Sequence, residues 1–220
     1  TQLPEYAAYI DSVLSYIRDN EVNGNWIHKE TDKVQEMIDV SANYLKPFIV
    51  ELAASFSDKQ VDELLDNLAQ RREKFRKKYV QATENKLRKY HKNELVDNIG
   101  PFFGRLNKPQ ERLIEAWLDE LQNYEHLTLK QQKLWATKLQ NALNQRSDQQ
   151  ALAKNLDTLM FYRTDDWDPE LERILDHNQA ITYRLLAELY NSQTPKQRKK
   201  TLAKLTNYRD DFLSLAARKG

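Results

Sequence analysis

The 220-residue chain contains no cysteine. That absence removes disulfides, thiolate nucleophiles and thiolate metal sites together, and it leaves the compartment open, since a cysteine-free chain suits the cytosol and the periplasm equally. Glycine and proline are nearly as scarce, at 4 and 6 residues, so there is little material for tight turns. No run approaches the roughly 20 apolar residues of a membrane span, and no signal peptide is visible. The chain opens at Thr1 without a methionine, as expected of a processed product or a shortened chain. Enzyme signatures are missing as well. His28, His91, His126 and His177 stand at no ligating spacing, with neither His-Glu-x-x-His nor Glu-x-x-His present. There is no glycine-rich phosphate loop and no Gly-x-Ser-x-Gly elbow. The acidic group Asp165, Asp166, Asp168, Glu170 and Glu172 lacks the Asp-x-Asp-x-Asp-Gly pattern of a calcium loop. It reads as the start of a helix, where acids meet the positive end of the dipole. Neither catalysis nor a cofactor or metal is expected.

What the chain does have is helix-forming material. Leu, Lys, Glu, Gln, Arg and Ala dominate, and an all-α fold follows. With 40% hydrophobic and 30% charged residues it can bury a core, but 11 of the apolar residues are tyrosines, which are often only half buried. A thin, elongated core is expected. One four-residue signal recurs at Ser57/Gln60, Asn107/Gln110, Thr128/Gln131 and Thr194/Gln197. A Ser, Thr or Asn oxygen accepts from an orphan N–H of the first turn, and a Gln three residues on reaches back to the cap's own N–H. Each copy is therefore read as a helix start. Trp117 and Trp135 sit at helical spacing among leucines and read as core.

Periodicity places helices at residues 4–20, with Ile10, Val13, Leu14 and Ile17 on one face, and at 26–54, bent at Pro47. Residues 58–98 hold neither proline nor glycine and predict a continuous rod about 60 Å long. Gly100-Pro-Phe-Phe-Gly104 is expected to end it. Further helices follow at 108–123, 129–145, 148–161, 168–191 and 194–218. The expectation is an elongated bundle of about eight helices in antiparallel hairpins, forming one domain over 1–220, with no Ser/Gly linker to divide it.

Charge is unevenly spread. Residues 71–92 carry ten basic side chains against Glu73 and Glu84, residues 195–220 carry eight against Asp210 and Asp211, and the whole chain nets only +1. The long helix has an ordinary apolar stripe at Val61, Leu64, Leu65 and Leu68, but from Ala69 to Lys86 only Phe75, Tyr79, Val80 and two alanines interrupt polar residues. Arg71, Arg72, Lys74, Phe75, Arg76, Lys77, Lys78, Tyr79, Lys86, Arg88, Lys89 and Lys92 are the candidate partner-binding residues. Such a surface attracts anionic partners in a salt-dependent way. An overall pI near 7.8 is well below the footprint of nucleic-acid binders, and no nucleic acid is expected.

Several features together resemble a group of uncharacterised lipoproteins of Gram-negative bacteria: the Leu3-Pro-Glu-Tyr start, Ser57-x-x-Gln60 continuing into Lys86-Leu-Arg-Lys, Leu106-x-x-x-Gln110, Trp135, Asn178, and Thr194-x-x-Gln197 ending in Tyr208-Arg-Asp-Asp-Phe-Leu-Ser-Leu-Ala. The resemblance implies a periplasmic location and, in the full-length protein, a secretion signal, a lipidated anchor and a further helical segment. Leu127-Thr128-Leu-Lys-Gln131 is also similar to the Leu-Thr-x-x-Gln signature of the Spy and CpxP periplasmic chaperones. That likeness implies a basic helical cradle that binds unfolded envelope proteins without ATP. The expected function is non-enzymatic: a chaperone-like or adaptor protein contacting a protein client. The alternatives are a peripheral binder of anionic envelope lipid or glycolipid and, from a different class, a hydrolase with an unrecognised site.

Overall fold

The computed structural model describes residues 2–160 and 167–218. Among these residues every regular element is helical: α1 (Leu3–Asp19), α2 (Gly24–Ala54), α3 (Asp58–Phe75), a π-helical turn (Arg76–Val80), α4 (Glu84–Phe103), α5 (Lys108–Glu120), α6 (Glu125–Asn144), α7 (Gln149–Met160), α8 (Pro169–Asn191) and α9 (Pro195–Ala217). The all-α expectation holds. Asp165 and Asp166 of the acidic group lie outside the described residues.

The chain forms two compact units. Unit one comprises Thr1–Thr31, Arg88–Leu121 and Gln179–Gly220; unit two comprises Asp32–Leu87 and Gln122–Asn178. The chain passes between the units within α2, α4 and α8 and, after α5, between Leu121 and Gln122, and no linker composition marks these changes.

In unit one, Ile99, Phe103, Ile114, Trp117, Leu118, Ile181, Leu185 and Leu189 form one buried cluster, and Ile17, Val22, Ala187 and Tyr190 form a second. Helices α1 and α9 pack along each other. As the sequence indicates, Leu14 and Ile17 are buried on α1. In unit two, Ala53, Val61, Leu139, Ala142, Leu143, Leu152 and Leu156 make the core, with Leu64, Leu65 and Leu68 packed against it. Burying a leucine such as Leu152 fully contributes about 1.5–3 kcal/mol, so these clusters outweigh any cap or ion pair.

Two asparagines of α8 hold chain segments that precede other helices. The Asn178 side chain accepts from the Gln122 N–H at 2.9 Å and donates to the Gln122 carbonyl at 2.8 Å. Asn191 does the same for Val22, at 3.0 and 2.7 Å. Each side-chain amide thus satisfies the backbone donor and acceptor of one residue outside regular structure.

Two local expectations are corrected. The rod over 58–98 is interrupted: α3 ends in the π turn, where the Gln81 N–H reaches the Arg76 carbonyl at 3.0 Å, and α4 starts at Glu84. Like charges at i,i+4, Arg72 with Arg76 and Lys74 with Lys78, oppose a regular helix here, and little apolar area offsets them. The longest helix is instead α2, with 31 residues, and it continues through Pro47. The Gly100–Gly104 stretch does end α4 as expected: the helix runs through Pro101 to Phe103, and Gly104 ends it with φ +69°, in the left-handed conformation that favours glycine after a helix. Finally, capping boxes form at Ser57, Asn107 and Thr194, but not at Thr128. Helix α6 begins at Glu125, so Thr128 lies inside it.

Candidate functional site

Unit two contains a cavity of about 870 Å³, within the range of roughly 300–1,000 Å³ typical of small-molecule sites. Its wall is assembled from five helical segments. Ile38 and Ala42 come from α2, Leu68 and Phe75 from α3, Trp135 from α6, Leu159 and Met160 from the end of α7, and Leu171 and Leu175 from α8. The polar part of the lining includes Arg71, Arg72, Asp39, Thr128 and Gln131.

The displaced fourth capping motif therefore has a different role from the one its pattern implies. Thr128 and Gln131, three apart within α6, face the cavity rather than closing a helix end. Trp135 is one helical turn further on. It is 38% exposed, lines the cavity and donates its indole N–H to the Leu159 carbonyl at 3.2 Å. Trp117 is core as expected, at 8% exposure, but Trp135 is wall.

The candidate partner-binding residues fall into three groups. Arg71, Arg72 and Phe75 line the cavity. Arg76 is drawn into a fork with Glu73, Nε to Oε2 at 2.7 Å and Nη2 to Oε1 at 2.6 Å, and Lys77 approaches the same carboxylate at 3.5 Å. The Arg76 bonds hold the Glu73 carboxyl down at about 2. Lys78 lies 4.6 Å from the centre of the Tyr79 ring, which tilts against Phe75 at 5.0 Å; Lys74 and Lys86 are exposed. The third group, Arg88, Lys89 and Lys92, belongs to unit one. There Arg88 bonds Glu115 and Asp119, each at 2.7 Å, and Lys92 bonds Glu115. Bonds first from Lys92 and then from Arg88 hold the Glu115 carboxyl below its ordinary range. The cationic run is thus not one free surface. Among its arginines, the side chains of Arg71 and Arg72 have no hydrogen bond or ion pair among the described residues.

Sequence reading missed an apolar face on α2. Val34, Ile38, Leu45, Phe48, Ile49 and Leu52 are all exposed, at spacings that project them from one side of a helix. Tyr44 flanks them at 72% exposure, and Phe48 and Leu52 stand at 57% and 59%. The signal was present in the 3.6-residue period. What periodicity does not supply is whether such a stripe is covered, and here the buried α2 position is Ala53, on a different side. Monomeric proteins rarely leave contiguous apolar patches of this kind without a use for them.

An all-α protein of two units, one carrying an open apolar cavity with arginines in its wall, is the class these features define. The chain belongs to a family of unknown function (DUF6279), whose model matches residues 1–172. No curated protein and no solved structure matches it.

Proposed function

We propose that this is a non-enzymatic binding protein of the Gram-negative envelope, chaperone-like or adaptor in action, whose unit two takes hold of apolar, acid-bearing segments of a protein client. The observation that carries the reading is the exposed apolar face of α2, held in the same unit as the cationic α3. Apolar contact supplies affinity along Phe48, Leu52 and their neighbours. Arg71, Arg72, Lys74 and Lys77 supply attraction for acidic flanks and a preference for clients that carry them. The absence of any ATP-binding motif in the sequence fits capture by simple mass action. The periplasmic, lipid-anchored location rests on the resemblance to Gram-negative lipoproteins.

A second reading, peripheral attachment to anionic lipid, is favoured by the exposed lysines Lys74, Lys77, Lys86 and Lys89, which suit phosphate as point charges. Two assays separate the readings. Light scattering of a reduced, unfolded model protein is followed with and without the full chain, and sedimentation with anionic vesicles is measured in parallel. Client binding requires suppression of scattering that Phe48→Ser with Leu52→Ser weakens. Vesicle binding without any suppression sinks the client reading in favour of the lipid one.

A further inference from the structure

We infer that the cavity of unit two is a binding site for a single-chain amphiphile with an oxyanion head group, its tail among the apolar side chains and its head on Arg71 and Arg72. This does not rest on the client reading, because the cavity is a separate feature from the outer part of the α2 face: Tyr44, Phe48 and Leu52 do not line it.

Three observations converge. The first is volume and chemistry. About 870 Å³ walled by Ile38, Leu68, Phe75, Trp135, Leu171 and Leu175 is much larger than the packing gaps normal in a protein interior, and it is shaped from apolar side chains on five separate segments. Its apolar lining offers dispersion contacts along the length of a ligand's tail. The second is the state of the charges. Arg71 and Arg72 are adjacent on α3, and their side chains reach the cavity wall without a hydrogen-bond or ion-pair partner among the described residues. The one acid in the lining, Asp39, already accepts from Gln35 Nε2 at 2.8 Å. Among the described residues the lining carries Arg71, Arg72 and Lys138 against the single carboxylate of Asp39, so its net charge favours an incoming anion.

The third is contrast with the rest of the cationic run. Arg76 and Arg88, on the same stretch of sequence, are both held by carboxylates in fork-like or double contacts. The two guanidiniums that reach the cavity have no such carboxylate partner among the described residues. A guanidinium presents a planar fork that fits carboxylate or phosphate oxygens, so the shared chemistry is an oxyanion. Specificity for tail over short anion comes from the apolar wall, and specificity for anion over neutral lipid from the arginines.

The test uses the full chain and three probes: dodecanoate, dodecyl phosphate and dodecanol, each titrated calorimetrically at low salt. The expected result is saturable one-to-one binding of at least one anionic probe, at least ten-fold tighter than dodecanol. Its affinity falls about ten-fold or more in Arg71→Gln with Arg72→Gln, while dodecanol is unaffected. The tighter of the two anions assigns the head as carboxylate or phosphate. Ala42→Trp, which fills the cavity from α2 and leaves both arginines in the chain, should abolish binding of all three. An 11-bromoundecanoate probe should quench tryptophan fluorescence, and Trp135→Phe with Trp167→Phe should remove that quenching. The inference is overturned if no anionic probe binds saturably, if dodecanol binds as tightly as the anions, or if folded Arg71→Gln/Arg72→Gln protein binds like wild type.

Discussion

Gln110 and Gln197, each the third residue of its own helix, donate to each other's side-chain oxygen at 3.1 and 3.0 Å. Each oxygen also accepts from its own cap, Asn107 N–H at 3.1 Å and Thr194 N–H at 3.0 Å. Gln197 Nε2 further donates to the Arg105 carbonyl at 3.1 Å. Two capping boxes that read in sequence as separate local devices are thus one buried network joining the starts of α5 and α9, with Gln110 at 0% and Gln197 at 6% exposure.

That network should be costly to break and non-additive. Gln197→Ala leaves the Gln110 amide buried with fewer partners, and we expect a loss of about 1–3 kcal/mol in urea unfolding. Gln110→Ala should cost a similar amount, and the double variant distinctly less than the sum, because the second change removes a group already orphaned. Strict additivity would show that the two amides act independently.

The helix starts themselves should divide three to one. Thr194→Ala, at a formed cap, is expected to cost about 0.5–2 kcal/mol. Thr128→Ala replaces a β-branched residue inside α6 and should stay within about 0.5 kcal/mol of wild type or gain slightly. Equal losses at both sites, measured by thermal or urea unfolding, would contradict the placement of Thr128 within the helix.

This division shows how far the sequence could be read. The capping chemistry at Ser57, Asn107 and Thr194 is local, so four residues suffice to announce it. Thr128 carries the same four-residue pattern, yet Glu125 begins the helix a turn earlier, with its carboxylate accepting from the Tyr124 N–H at 3.0 Å. A pattern match does not reveal that competitor. Residues 58–98 lack every conventional helix breaker, but crowded like charge and missing apolar cover end the rod, and these are collective effects. The candidate list included Arg71, Arg72 and Phe75, which line the cavity. It could not separate them from Arg88 and Lys92, because Glu115 and Asp119 lie more than twenty residues away in sequence. Nor could it reveal the cavity, which is assembled from five segments, or the exposure of the α2 stripe.

The two glycines that bracket the end of α4 should respond oppositely to alanine. At Gly104, with φ +69° and a would-be Cβ meeting Lys200 Nζ at 3.2 Å, the left-handed backbone makes Gly104→Ala destabilising by about 1–2 kcal/mol. At Gly100, inside the helix and with nothing within 4 Å of the added carbon, Gly100→Ala should stabilise by about 0.5–1 kcal/mol. Circular dichroism melts of the two single variants check both signs.

Glu73 predicts an acid dependence. Its carboxyl is lowered from 4.5 to about 2, chiefly by its hydrogen bonds with Arg76. A depressed acid contributes stability that is fully present above its unfolded value and is lost as pH falls through the folded one. The Glu73–Arg76 contribution should therefore fade between about pH 4.5 and 2 and shrink in high salt, since the pair is exposed. Glu73→Gln should flatten that part of the stability–pH profile; an unchanged profile would show that the fork does not persist in solution.

The most direct measurement of the binding account concerns the outer α2 face alone. Tyr44→Ser, Phe48→Ser and Leu52→Ser are combined in one variant, leaving the cavity wall and every cationic residue in place. The variant is compared with wild type for suppression of light scattering by a reduced, unfolded model protein. We expect wild type to suppress scattering in a dose-dependent, salt-sensitive way, and the triple variant to lose most of that effect while its melting temperature moves by only a few degrees or rises, because these side chains are exposed. A wild type that suppresses nothing, or a folded triple variant that suppresses as well as wild type, would contradict the claim that unit two binds clients through α2.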